Sequence, residues 1–274
     1  MKGRKILTLL AEHFKGHFKY GGIKGVARLI LALPMKKLGF VYSRTGFKDR
    51  YCPCCNWRGK NFLPYISGGY VTFQAVCPKC SWHARHRGHI LFYYRIFNIT
   101  DRKGKLLYFA PELSILQQLK SSTRLEIYTS EYESDTGDFK IDLMDIQFED
   151  NMWNFIICHR VIEHIPDDRK GMSELYRILK PGGLLILSVP INQSKGETTE
   201  YGFPNPLEDY HYYSYGRDFE QRIPVEFKVT RYSFSELFTA KEFSQMSLME
   251  DCIFVCEKNQ SSDKEVTEIT IRRR

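Results

Sequence analysis

Two knots of sulfur carry the plainest chemistry in this sequence: Cys52-Pro53-Cys54-Cys55 and Cys77-Pro78-Lys79-Cys80, with 21 residues between the inner cysteines. A C-P-x-C turn aims two thiolates at one point while proline restricts the backbone. Two such turns supply four sulfurs at about 2.3 Å, a closed tetrahedral Zn²⁺ shell without an open position. A closed shell serves structure rather than catalysis. Cys52, Cys55, Cys77 and Cys80 are the expected ligands, Cys54 can replace either neighbour, and an iron centre of rubredoxin type would use the same set. A redox dithiol would instead place one C-x-x-C at the start of a helix in a thioredoxin-like setting, which this sequence lacks. His83, His86 and His89 follow at the spacing of one helical face, but Arg85 and Arg87 between them repel a cation. These histidines are read as packing or anion contacts.

The elements that must hold these groups differ in charge. Residues 1–105 contain 21 Lys and Arg against three Asp and Glu, a net +18, whereas residues 106–274 contain 19 against 29, a net −10. Two physically different parts are joined. A hydrophobic content of 43% with 26% charged residues excludes a disordered polyelectrolyte and a collagenous chain, and 274 residues suffice for one large or two smaller domains. The run Leu29–Met35 falls far short of the roughly 18 to 20 apolar residues that span a bilayer. The basic start Met1–Lys5 leads into an apolar run that ends at Glu12-His13, unlike a secretion signal. A reducing cytoplasm is therefore the expected compartment, with peripheral attachment at an inner membrane surface open to the basic segment. Residues 1–50 read as a basic arm of two short amphipathic helices broken by Gly21-Gly22 and Pro34. Its basic face can pack on the acidic C-terminal part, lie on anionic lipid, or bind nucleic acid.

From Lys105 the pattern changes to short apolar runs at Leu106–Phe109, Leu125–Thr129, Phe155–Cys158 and Leu184–Val189, separated by amphipathic segments. That alternation predicts an α/β fold with a mostly parallel sheet and helices on both faces. Asp167 or Asp168 caps a crossover helix ending at Pro181-Gly182-Gly183. Residues 190–222, rich in Tyr, Gly and Pro, are too long for a simple connection and read as a lid or substrate insertion. Val225–Tyr232 and Cys252–Cys256 read as a closing antiparallel pair, and 259–274 as a disordered tail. The expected organisation is an arm over 1–50, a metal module with a linking helix over 51–104, and an α/β domain over 105–258.

The series Asp142-Leu143-Met144-Asp145, Trp153 to Cys158, Val161-Ile162-Glu163-His164-Ile165-Pro166-Asp167-Asp168 and Leu175 to Gly183 closely resembles class I S-adenosylmethionine-dependent methyltransferases with a type 11 methyltransferase domain, over roughly 105–190. With the knuckles, Arg85-His86-Arg87 and Leu107-Tyr108-Phe109-Ala110-Pro111-Glu112, the chain is similar to a bacterial branch carrying an N-terminal zinc ribbon, over about 45–223. The resemblance implies a Rossmann-like sheet preceded by that ribbon, with S-adenosylmethionine at the carboxyl ends of the strands. It implies Glu131 on the ribose hydroxyls, Asp142 on adenine, and Leu143 as backbone donor and ring cover. Phe109, Ala110, Glu112 and Cys158 complete the implied cofactor set. The turn Phe109-Ala110-Pro111-Glu112 departs from the family's glycine-rich one, which affects how the methionine moiety is held.

Methyl transfer from a sulfonium is an in-line displacement dominated by alignment, and a base is needed only when the acceptor loses a proton. His159 and His211 are the candidate catalytic residues, with His164, Tyr215 and Asp218 as neighbours of interest. The branch has a histidine immediately before the valine, where this sequence has Arg160-Val161. The resemblance implies methyl transfer without naming the acceptor, read here as small or lipid-linked. RNA is the alternative acceptor, with the ribbon contacting phosphates. A catalytically inactive zinc-ribbon binding protein is the alternative from another class. Oligomeric state is open.

Overall fold

Glycine divides the first helical stretch as the sequence predicts. In the computed structural model, which describes residues 2–67, 69–120, 124–132 and 136–260, helix α1 (Lys2–Lys37) is two helices joined at Gly22, whose φ of 54° and ψ of −148° leave the helical region. The break expected at Pro34 does not occur. The proline ring removes one donor, but the next turn closes through Leu38 N–H on the Pro34 carbonyl at 2.8 Å, so the helix continues to Lys37. The expected tail over 259–274 lies, beyond residue 260, outside the described residues.

The chain divides into two units that interleave in sequence. The first holds residues 1–102, 112–124 and 232–252. Here α1 packs on an antiparallel hairpin, Leu63–Ile66 with Val71–Val76. Leu29, Ala32 and Val71 form the buried contact, ringed by Phe14, Leu33, Ile66 and Phe73. Polar bonds fix the helix: His13 Nδ1 and His17 Nε2 each lie 3.1 Å from the Ser67 carbonyl, and Arg28 donates to the Val71 carbonyl at 2.9 Å. The arm thus packs on a neighbour in its own basic half. A second hairpin, Arg50–Cys52 with Trp57–Gly59, carries the first knuckle at its turn. Helix α2 (Ala84–Arg95) follows the second knuckle, and α3 (Leu113–Leu119) completes the helices near it. Gly88 of α2 is required by packing, because a Cβ there would lie 2.1 Å from the Phe234 ring.

The second unit, residues 103–111, 125–231 and 253–274, contains most of a seven-stranded sheet. In chain order its strands are β1 (Gly104–Phe109), β2 (Leu125–Glu131), β3 (Phe139–Lys140), β4 (Trp153–His159), β5 (Leu179–Ser188), β6 (Phe227–Ser233) and β7 (Cys252–Lys258). Their spatial order is β6-β7-β5-β4-β1-β2-β3. Neighbours from β5 to β3 run parallel, while β7 runs antiparallel to β5. This is the α/β, Rossmann-like arrangement expected, with a topological switch between β1 and β4. Leu106, Leu107, Ile156, Ile157, Leu185 and Ile186 are fully buried, as strands covered on both faces must be.

Helix α4 (Asp168–Ile178) is the crossover between β4 and β5, and Asp167 caps it by accepting from Lys170 N–H at 2.9 Å. The helix ends earlier than Pro181-Gly182-Gly183. Leu179 already pairs with Trp153, and the register shift before Phe155–Leu184 makes Lys180–Gly183 an irregularity inside β5.

Candidate functional site

The metal centre builds up from the two hairpins of the first unit. The Cys52 and Cys80 sulfurs lie 3.7 Å apart, as do those of Cys55 and Cys77. All four sulfurs fall within 4.8 Å of one another. A tetrahedron with metal–sulfur bonds of about 2.3 Å needs edges of about 3.8 Å, so this donor set fits Zn²⁺. Cys54 stands outside the cluster. The second knuckle is shaped by Ser81 N–H on the Cys77 carbonyl and Cys77 N–H on the Trp82 carbonyl, both 2.9 Å.

Arg87 is fully buried and donates to the carbonyls of Met246 (2.7 Å), Ala75 (3.1 Å) and Trp82 (3.3 Å). Burial lowers its guanidinium to about 10, opposed by the nearby cysteine sulfurs. The three histidines after the knuckles form no metal group of their own among the described residues. His83 N–H donates to His86 Nδ1, and His86 Nε2 sits 2.8 Å from Glu112, which also takes Arg85 at 2.7 Å. His86 thus makes an anion contact, one of the two roles read from the sequence for these histidines.

In the second unit a cavity of about 570 Å³ opens at the carboxyl ends of β1, β2 and β4, a volume suited to a small-molecule cofactor. Phe109 and Ala110 come from the end of β1; Ser130, Glu131 and Tyr132 from the end of β2; Asp142, Leu143 and Met144 from the loop after β3; Arg160, Val161 and His164 from the segment after β4. Two carboxylates on the wall together with apolar Phe109, Ile141 and Leu143 form a set that fits a nucleoside: acceptors for hydroxyl or amino groups and cover for a base. Asp142 is oriented by accepting Met144 N–H at 2.9 Å. Ala110 has φ of 42°, in the left-handed region that glycine normally fills, and its N–H reaches the Ser130 carbonyl at 2.8 Å.

The cavity thus gathers Phe109, Ala110, Glu131, Asp142 and Leu143. Glu112 and Cys158 are not among its lining residues. Glu112 precedes α3 in the first unit, where Arg85 and His86 engage it. The Cys158 backbone pairs between Phe109 and Leu187, leaving its thiol fully buried in the sheet, and burial pushes its pKa up.

His159, one of the two candidate bases, is also buried, its ring edge-on to Tyr108 at 6.0 Å, and does not line the cavity. His211 lies beside it instead. Its ring meets that of the cavity-lining His164 at 4.6 Å, nearly perpendicular. Burial first, then His164, lowers the His211 pKa to about 4, so its imidazole is neutral at neutral pH. Glu163, His164 and His211 bring ligand-type atoms within 4.8 Å of one another. Arg160, which sequence reasoning noted only as a departure, stands in the wall with φ of 55°. That backbone outlier immediately after β4 was the signal available only from geometry.

Residues 190–222 form a two-stranded hairpin, Thr199–Asn205 with His211–Ser214, while Ile191 bridges Tyr215. Tyr215 is fully buried with its hydroxyl donating to Asp168 at 2.9 Å, and it does not line the cavity.

Residues 117–187 match the family model described as a methyltransferase domain. The matched stretch contains β2, β4 and α4. A stretch of 48 residues is 40% identical to phosphoethanolamine N-methyltransferase 2 of Caenorhabditis elegans, which is 18% of this chain and 11% of that protein. The match thus spans about a tenth of that relative's length. Among solved structures, the [4+2]-cyclase SpnF is 14% identical with a TM-score of 0.48, covering 66% of this chain and 84% of the other. A putative methyltransferase from Bacillus halodurans is 13% identical with a TM-score of 0.42, covering 61% and 98%.

Proposed function

We propose that the chain is an S-adenosylmethionine-dependent methyltransferase acting on a small or lipid-linked acceptor. The observation that carries this is the pairing of Glu131 and Asp142 on the wall of one cavity at the carboxyl ends of β1, β2 and β4, within a methyltransferase-domain segment. When bound, the cofactor supplies an electrophilic methyl group on a sulfonium. Glu131 accepts hydrogen bonds from the ribose hydroxyls, Asp142 takes the adenine side, and Phe109 and Leu143 cover the base. Arg160 provides the cation for a carboxylate, whether of the cofactor or of the acceptor. The neutral His211, beside His164, is the base for an acceptor that must lose a proton; His159, edge-on to Tyr108, does not line the cavity. In this reading the four cysteines form a structural zinc ribbon, and the protein works in a reducing cytoplasm.

Incubating the zinc-loaded full chain with methyl-labelled S-adenosylmethionine and fractionated cell extract tests the reaction. Label in lipid or small molecules is the expected result. Label in RNA would move the acceptor to the alternative class, and no label in any fraction, with no cofactor binding, would leave a non-catalytic zinc-ribbon protein.

A further inference from the structure

The first unit's N-terminal helix has two apolar faces, and only one is used. Beyond the Gly22 break, Gly25, Leu29 and Ala32 are buried, at the i, i+4, i+7 spacing of a single face. Ile23, Ile30 and Leu31 recur at i, i+7 and i+8, and Leu38 follows at the turn where the helix ends. At 100° per residue their midline lies about 180° from the buried one. They are open to solvent: Ile23 is 82% exposed, Leu38 60%, and Phe40 just beyond 73%. Packing on the hairpin therefore explains one stripe and leaves the other unused.

Charge says what covers it. Residues 13–48 contain eight Lys and Arg and no Asp or Glu. Lys24 and Lys37 are exposed beside the apolar stripe, and Arg44 lies over the exposed Phe40 ring at 3.5 Å. Aliphatic side chains gain nothing from nucleic-acid phosphates, whereas aliphatics flanked by lysines match the boundary between acyl chains and anionic headgroups. No helix among the described residues is long and apolar enough to cross a membrane, so the stripe suits a surface-lying helix. We propose that the stripe Ile23–Ile30–Leu31–Leu38, extended by Phe40, docks the protein on an anionic lipid surface. This does not rest on the methyl-transfer reading and is measured without cofactor.

The test is co-sedimentation of the zinc-loaded full chain with phosphatidylcholine vesicles and with vesicles that also contain phosphatidylglycerol. The expected result is binding at least tenfold tighter to the anionic vesicles, weakening as salt rises. Replacing the exposed Ile23, Ile30 and Leu38 together by Ser should lower that binding at least tenfold with zinc content and circular dichroism unchanged. Lys24→Glu with Lys37→Glu, which leaves the apolar residues in place, should lower it independently. Failure of the wild type to sediment with anionic vesicles, undiminished binding by both variants, or retention on RNA without retention on vesicles would each overturn the proposal.

Discussion

Arg222 grips Asp168 through both carboxylate oxygens, Nε to Oδ2 at 2.6 Å and Nη2 to Oδ1 at 2.8 Å. Asp168 is the first residue of α4 and 1% exposed, and Tyr215 donates to the same carboxylate. Tyr213 donates to the Pro166 carbonyl at 2.6 Å, and the Arg222 guanidinium stacks on its ring at 4.9 Å. The 190–222 excursion is therefore tied to the start of the crossover helix by a buried, bidentate ion pair. The carboxylate raises the Arg222 pKa, and burial raises that of the Tyr215 hydroxyl, so neither group titrates near neutrality.

Removing one partner leaves the other charge buried. Arg222→Ala should destabilise the protein by about 3 to 5 kcal/mol in urea unfolding, and Arg222→Lys should restore only part, since an ammonium cannot fork onto both oxygens. A loss below about 1 kcal/mol would mean that water replaces the guanidinium.

This anchor shows where sequence reading stops. Strands β1, β2, β4 and β5 were legible because buried parallel strands are continuous apolar runs, and the four cysteines because their spacing encodes geometry. Two neighbouring aspartates, by contrast, look alike in sequence: Asp167 became the cap and Asp168 the buried ion-pair partner. Cys158 and His159 sit at a strand end, where only the pleat decides which side chains face a cavity. Glu112 was diverted by Arg85 and His86, an encounter created by tertiary folding. Strand β3, two residues long, carries too little pattern to be seen.

Zinc should be part of the fold. The purified chain is expected to hold one equivalent of metal, colourless if zinc, and chelation should abolish much of the helical signal, because forming the four-thiolate site and folding its hairpins are one process. Metal analysis decides the first point and circular dichroism the second. Less than half an equivalent of zinc plus iron in protein never exposed to chelator would contradict it.

The His211 ring gives a pH signature. Its folded pKa of about 4 lies below the ordinary value of 6.5. Above neutrality the ring is uncharged in both states and contributes no pH dependence. As pH falls from about 6.5 toward 4, the unfolded chain takes up a proton that the folded one refuses, so the wild type should lose stability relative to His211→Gln. Urea midpoints of both proteins at several pH values read this directly. Parallel curves throughout would mean that the imidazole is solvated and protonates normally.

The central claim is that the cavity at the ends of β1, β2 and β4 is the S-adenosylmethionine site, and calorimetry with S-adenosylhomocysteine tests it most directly. The wild type should bind one equivalent. Glu131→Ala and Asp142→Ala should each weaken binding by about 1 to 3 kcal/mol, or about 5- to 150-fold, with the fold intact. Cys158→Ala and His159→Ala, outside the cavity lining, should leave the affinity within about a factor of two, since neither removes a cofactor contact. No binding by the wild type at millimolar ligand, or full affinity in both carboxylate variants, would contradict the account.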